Sequence, residues 1–340
     1  MAATAEGDVT RSRISELEFV HTVDRNLVHR SALSELFLTD SRQVDEERFV
    51  AGAQLPSSHA YYADHTGPAP VDPLLLLECC RQAETHAVHA HFDAPGSVRF
   101  VLSSWSMTLS DLASVSPGPG PVELVMAVST HDGKWRDGAL RSLEYTVHLH
   151  VAGRYVGETR ICAEYVPAEV YDAMRGRNRS GRLPTSQAFQ QERPDGEPVP
   201  PARVGRTQPD NVVLLDAVSE PGFLRARMRI AGGHPSLFDH AQDHHPGMVL
   251  MEAARQMSVL AAGTFGIAGP DSCFVTAMDA SFTAYAELDS PVLLTTRQIP
   301  SETGAFGARL HTAFEQDGVT IANATFTVAD GLPPAAGAGS

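Results

Sequence analysis

The chain has 340 residues, of which 43% are hydrophobic and 20% charged, and carries a formal net charge of −15. This composition suits a globular protein able to bury two cores, and it lacks the excess of Lys and Arg that general binding to nucleic-acid phosphates requires. No apolar run approaches the roughly 20 residues of a membrane span, and the polar start of the chain lacks the basic-then-apolar order of a signal peptide, so a cytoplasmic location with no membrane partner is expected.

Residues 1–20 read as disordered. From Asn26 to Phe49, short apolar groups mix with acidic turns and read as strands. At Asp72 the pattern changes, because Asp72 suits a helix N-cap and Pro73 the first helical turn, where its missing N–H matters least; the helix runs to about His91. Leu74, Leu76, Leu77, Cys79, Cys80, Ala83, Ala87 and Val88 leave it little polar face, as in a helix enclosed by other elements. Strand-like runs follow at 98–109, 122–129, 140–151 and 155–165, punctuated by the Pro-Gly turn at 117–121. The stretch 167–209, rich in Arg, Gly, Ser and Pro, reads as a linker with one short helix at 169–174. Strands at 212–218 and 223–230 then lead through a histidine-rich loop to a second apolar helix at 246–264, and strands follow near 273–285, 292–299, 308–315 and 320–328. The tail from 331 reads as disordered. A buried helix followed by antiparallel strands, occurring twice, is an α+β plan with domains at 21–166 and 210–330, each sheet curling round one long helix.

The two halves are copies. Leu76-Leu77-Glu78-Cys79-Cys80-Arg81-Gln82 returns 174 positions later as Leu250-Met251-Glu252-Ala253-Ala254-Arg255-Gln256, and Phe100-Val101 returns as Phe274-Val275. His59, Asp64 and His65 return one residue out of step as His234, Asp239 and His240. In each helix Glu and Arg stand three apart and Gln four from the Glu, so all three share one face. A buried Glu must be paired, hydrogen-bonded or protonated; desolvation pushes its pKa up and the neighbouring Arg pulls it down, and the sequence leaves that balance open.

The loop from His234 to Met248 holds four histidines and opens a helix whose N-terminal N–H groups can face a carbonyl oxygen or oxyanion, with Gly247 permitting close approach. A metal site is not expected, because no HExxH or repeated ligand spacing is present. The four cysteines, Cys79, Cys80, Cys162 and Cys273, show no CxxC spacing and read as reduced. Arg175, Arg177, Arg179 and Arg182, and the alternating Arg225, Arg227 and Arg229, read as solvated, with docking of an acidic partner or a phosphate group as the alternative. No motif supports a GxSxG hydrolase, a Walker-type NTPase or a dinucleotide-dependent enzyme.

Pro246-Gly247-Met248 through Gln256, with His234-Pro235 upstream, resembles the loop and central helix of hotdog-fold acyl-thioester enzymes. With Leu27-Val28-His29-Arg30, Asp72 through Glu78, Arg81-Gln82, Lys134-Trp135-Arg136 and Asp243-His244-His245, the chain is more similar to the A-factor biosynthesis (AfsA-type) hotdog family of actinomycete signal synthases, over about 27–166 and 210–329. The resemblance implies a tandem double hotdog packed as a pseudo-dimer, with active sites where helix residues of one half meet loop residues of the other. It implies condensation of a β-ketoacyl group, delivered on acyl carrier protein or another thioester, with dihydroxyacetone phosphate, to an ester that cyclises to a butenolide phosphate in γ-butyrolactone-type or furan signal synthesis. No cofactor is implied. The family's catalytic positions fall on Glu78, Glu252 and Arg255; His234 and His244 are added for proton transfer or orientation, and Arg81, Gln82, Gln256, Gly247, Asp243 and His59 for substrate binding. Glu252 is expected to activate the hydroxyl. A thioesterase or dehydratase on the same fold, or a non-catalytic acyl-binding module, are the rival readings, and the oligomeric state stays open.

Overall fold

The computed structural model describes residues 10–67, 71–110, 120–177, 183–190, 194–301 and 306–331. The chain divides into two compact units. The first comprises Met1–Ser57, Leu75–Met107 and Pro117–Arg182; the second comprises Ser58–Leu74, Thr108–Ser116 and Leu183–Ser340. A stretch of the first sequence copy, 58–74, therefore clusters with the second.

The first unit carries β1 (Leu38–Gln43), β2 (Arg48–Leu55), most of helix α1 (Pro73–Ala90) and of β3 (Arg99–Leu109), then β4 (Val122–Arg136), β5 (Ala139–Val151), β6 (Arg154–Val166) and α2 (Ala168–Gly176). Its strands lie in the order β1-β2-β4-β5-β6-β3. The second unit carries β7 (Leu214–Glu220), β8 (Phe223–Met228), α3 (Gly247–Thr264), β9 (Cys273–Phe282), β10 (Leu293–Ile299), β11 (Ala308–Gln316) and β12 (Val319–Asp330), in the order β7-β8-β10-β11-β12-β9. Counted from the start of each unit the two orders are the same, so the repeat seen in the helices extends to strand topology. This is the α+β plan expected from the sequence.

The helices are enclosed because they have no polar stripe to offer water. Leu74, Leu76, Leu77, Cys79, Ala83, Ala87 and Val88 of α1 are wholly buried, and residues 248–262 of α3 are buried without a break. Asp72 Oδ1 accepts from Leu74 N at 2.7 Å and so caps α1. Helix α3 ends where Phe265 N donates back to Ala261 O and Gly266 turns left-handed, with φ 72°.

Some of the chain differs from the sequence reading. Residues 10–15 of the segment read as disordered are helical, and Leu17 is buried; residues 1–9, the tail from 332, Arg179 and Arg182 lie outside the described residues. Much of the stretch read as a linker is ordered, with 3-10 turns at Pro201–Val204 and Pro209–Asn211 and a wholly buried Arg206. Arg227 pairs with Asp216 at 2.8 Å and Arg225 with Glu220 at 3.4 Å, so both are held by neighbouring strand residues. No helix among the described residues is long and apolar enough to cross a membrane.

One buried acid in the first unit is independent of the repeated motif. Glu84 on α1 accepts from Tyr165 Oη at 2.7 Å and from Thr85 Oγ1 at 3.0 Å, and Tyr145 Oη lies 2.8 Å from Tyr165 Oη. Burial, opposed by those two hydrogen bonds, pushes its pKa from 4.5 up to about 7. A carboxyl raised in the folded state favours folding fully below its unfolded pKa, and that advantage is lost as pH rises through about 7. Glu84→Gln is therefore expected to melt several degrees above the parent at pH 8, with the gap closing towards pH 4.5, as read by calorimetry across that range.

Candidate active site

Each unit builds the same carboxylate clamp. In the second, Glu252 Oε1 accepts from Arg206 Nη2 at 3.0 Å, Arg255 Nη2 at 2.8 Å and Gln256 Nε2 at 2.5 Å, while Oε2 accepts from Arg255 Nε at 2.9 Å. In the first, Glu78 accepts from Arg81 Nε at 2.8 Å, Gln82 Nε2 at 2.7 Å, and Arg30 through Nε at 3.1 Å and Nη2. Both carboxyls are fully buried, which alone would raise their pKa. The two arginines on each outweigh burial and hold both at about 2. These are fixed anions with little capacity to take up a proton near neutral pH.

The second arginine of each clamp comes from a matching structure upstream. A 3-10 turn, Arg25–Val28 or Pro201–Val204, ends in a left-handed residue, His29 with φ 52° or Gly205 with φ 72°, and the next residue is Arg30 or Arg206. The glutamines tie this upstream segment to the helix. Gln82 accepts from Phe37 N at 2.9 Å and donates to Glu35 O at 2.8 Å; Gln256 accepts from Val213 N at 2.9 Å and donates to Asn211 O at 2.7 Å. One amide hydrogen goes to the carboxylate and the other to a backbone carbonyl, so both donors are consumed within the fold. Gln82 and Gln256 thus brace the helix against the strand entry.

The two arginines on Glu252 are not equivalent. Arg206 is wholly buried; its Nη1 donates to Tyr61 O at 2.6 Å and Asp64 O at 3.0 Å, and its guanidinium lies 4.5 Å from the centre of the Tyr61 ring. Arg255 spends Nε and Nη2 on Glu252 and leaves Nη1 without a partner among the described residues. It is Arg255 that lines a recess of about 60 Å³, together with His65, Thr66, Asp72, Val259 and Cys273.

The wall of that recess is a docked loop. Asp64 accepts from Thr207 N at 2.9 Å, from Thr207 Oγ1, from Gln208 N at 3.2 Å and from Asn211 Nδ2 at 2.7 Å. Thr66 N donates to Gly205 O at 3.3 Å, and a side chain at Gly67 would collide with the carbonyl oxygen of Asp271. Thr66 Oγ1 is buried without a hydrogen-bond partner. His65 Nε2 lies 3.0 Å from Tyr62 O and 3.4 Å from Asp72 Oδ2. Burial pulls the His65 pKa down against the attraction of Asp72, which favours the neutral ring. Burial likewise pushes the Cys273 thiol up to about 11, leaving it protonated.

Of the histidines expected to act, His234 is held by its own loop, whereas His244 pairs with a carboxylate. His234 Nδ1 accepts from Ser236 N and Leu237 N, each at 3.2 Å, which makes Nε2 the protonated atom, 2.8 Å from Asn211 Oδ1. His59 makes the matching turn, accepting from Tyr61 N and Tyr62 N at 3.2 Å. Both rings organise loops. His244 Nδ1 lies 2.6 Å from Asp243 Oδ1, with the Tyr285 ring 5.0 Å away, and Gly247 is the first residue of α3. Glu252, Arg255 and Gln256 are thus brought together with Arg206; Glu78, Arg81 and Gln82 with Arg30. His65 and Asp72, read from sequence only as a repeated histidine and a helix cap, and Arg206, not singled out at all, are the site residues the sequence did not assign. The signal for Arg206 was present, since Arg30 and Arg206, like Glu35 and Asn211, stand 176 apart, two residues out of step with the helices.

The sequence model of the A-factor biosynthesis hotdog domain matches residues 13–167 and 188–329. A 2-oxo-3-(phosphooxy)propyl 3-oxoalkanoate synthase of Streptomyces virginiae is 35% identical over 284 residues, covering 82% of this chain and 88% of that protein. Synthases of the same name from Streptomyces coelicolor and Streptomyces griseus are 31% and 30% identical; they cover 78% and 82% of this chain, and 78% and 86% of their own lengths.

Proposed function

Since this chain belongs to the A-factor biosynthesis hotdog family, we propose that it transfers a 3-oxoacyl group from a thioester to the hydroxyl of dihydroxyacetone phosphate. The product is the 2-oxo-3-(phosphooxy)propyl 3-oxoalkanoate for which its relatives are named. The hydroxyl oxygen adds to the thioester carbonyl, the C–S bond breaks, and the thiol leaves; acyl carrier protein is the proposed donor and the cytoplasm the proposed location. Cyclisation of the ester to a butenolide phosphate follows.

The observation that carries this reading at the site is Arg255, a buried guanidinium with one unpaired N–H edge on a small recess. Such a group suits a phosphate or the oxyanion of the tetrahedral intermediate. Glu252 is reassigned from base to anchor, because both of its oxygens are occupied and its pKa lies at about 2. In the first unit Arg81 holds the matching place beside Glu78 and is a candidate for binding the donor or the acceptor.

Incubation of the full chain with a 3-oxoacyl thioester should give the phosphorylated ester, by mass spectrometry, only when dihydroxyacetone phosphate is present. Release of free 3-oxo acid at the same rate with or without the phosphate would instead make the protein a thioesterase.

A further inference from the structure

We propose that His65, oriented by Asp72, is the catalytic residue that accepts the proton of the acceptor hydroxyl, and that the recess it shares with Arg255 is the acceptor's binding site. This rests on the acyl-transfer reading above and goes beyond it by naming the base and the place. Glu252 cannot serve, being saturated by two arginines and a glutamine. His234 is committed to its own loop and to Asn211.

His65 has what those groups lack. Its Nε2 sits 3.0 Å from a backbone carbonyl and 3.4 Å from the Asp72 carboxylate, so the ring hydrogen belongs on Nε2. Nδ1 then carries the lone pair, and it has no hydrogen-bond partner among the described residues. The Nε2 hydrogen is spent on the Tyr62 carbonyl with the Asp72 carboxylate as an electrostatic neighbour, and a free lone pair on the other nitrogen leaves the imidazole able to serve as a base. Asp72 is a positioning residue here, itself fixed by capping α1. The residues flanking His65 are anchored, Asp64 by Arg206, Thr207 and Asn211 and Thr66 by Gly205 O.

The recess fits the smaller substrate. At about 60 Å³ it has room for roughly four to six water-sized groups, enough for the phosphate or the three-carbon end of the acceptor, with the rest of the molecule reaching out through its open side. Its polar groups also match: the unpaired Arg255 N–H for an anion and His65 for the proton. In the step, the hydroxyl proton passes to Nδ1 as the oxygen bonds to the thioester carbonyl carbon. When the tetrahedral adduct collapses, the C–S bond breaks and the imidazolium returns the proton to the departing sulfur, leaving ester, thiol and neutral His65.

The test is steady-state kinetics of the full chain with a 3-oxoacyl-N-acetylcysteamine thioester and dihydroxyacetone phosphate, across pH. The charged and titratable groups around His65 are Asp72 at the α1 entry, Arg206 before β7, Arg255 on α3, and Asp271 and Cys273 before and in β9. His65→Ala should lose at least about a hundredfold in kcat, with partial rescue by added imidazole, and His65→Gln should behave alike without rescue. Asp72→Asn, which keeps an oxygen to cap α1, should move the acid limb of kcat/KM to lower pH, since the ring loses its anionic neighbour. Wild-type kcat in folded His65→Ala or His65→Gln overturns the proposal while leaving the acyl-transfer reading intact. A loss that imidazole does not rescue, together with an unmoved acid limb in Asp72→Asn, makes His65 structural and overturns it equally. A parent chain that forms no ester removes both.

Discussion

Arg255→Ala loses ester formation by a factor of about a hundred to a thousand yet remains folded, whereas Arg206→Ala fails first in stability. Both side chains are buried cations on the same carboxylate, and what separates them is their remaining donors. Truncating Arg255 takes the donor from Glu252 Oε2, but Oε1 stays paired with Arg206 and Gln256, so the carboxylate keeps a cation and the variant gives up the free N–H edge on the recess. Truncating Arg206 takes one cation from Glu252, removes a donor from each of the Tyr61 and Asp64 carbonyls, and removes the packing over Tyr61. Loss of a partner from a buried pair costs about 3–5 kcal/mol. Urea midpoints and turnover per folded molecule, measured on both variants, check the contrast. Wild-type turnover in Arg255→Ala, or an unchanged midpoint in Arg206→Ala, contradicts the assignment.

Glu252→Gln should lose stability at neutral pH rather than merely go silent. Losing the carboxylate strands Arg206 and Arg255 in the interior, at a cost of about 3–5 kcal/mol. The same physics appears as a pH dependence in the parent. A carboxyl whose folded pKa is depressed adds stability that is complete above its unfolded value, here 4.5, and that is lost as pH falls towards about 2. Glu78 and Glu252 are each expected to contribute about 3 kcal/mol through this window. Urea denaturation between pH 7 and pH 2.5 should therefore show a steep acid loss that is shallower in Glu252→Gln, because one of the two titrating acids is gone. A variant with the parent's midpoint at pH 7 and no turnover would restore Glu252 to the role of base.

The repeated Glu–Arg–Gln face was legible because it lies on one helix, where spacing in sequence is spacing in space. The apolar character of α1 and α3, the Asp72 cap and the short helix at 168–176 were legible for the same local reason. Arg206 was not. It sits among Arg, Gly, Ser and Pro residues whose average reads as a tether, and its partners Glu252, Tyr61 and Asp64 are 46 to 145 positions away. The glutamines and His234 were legible as polar residues in telling places, but whether such a group faces a ligand or the backbone depends on which N–H and C=O groups arrive from elsewhere. His59 and His234, alike in sequence, are alike in structure as turn organisers. His65 differs from its repeat mate His240, which lies beside Asp239 and Gln242, only through the surroundings tertiary structure supplies.

The passage of 58–74 into the second unit also bears on how the gene can be divided. A fragment starting at Leu183 would carry the second clamp and α3, yet lack the carbonyls that Arg206 reaches and the two residues, His65 and Asp72, that stand opposite Arg255. The second copy's site therefore depends on a stretch of chain encoded in the first.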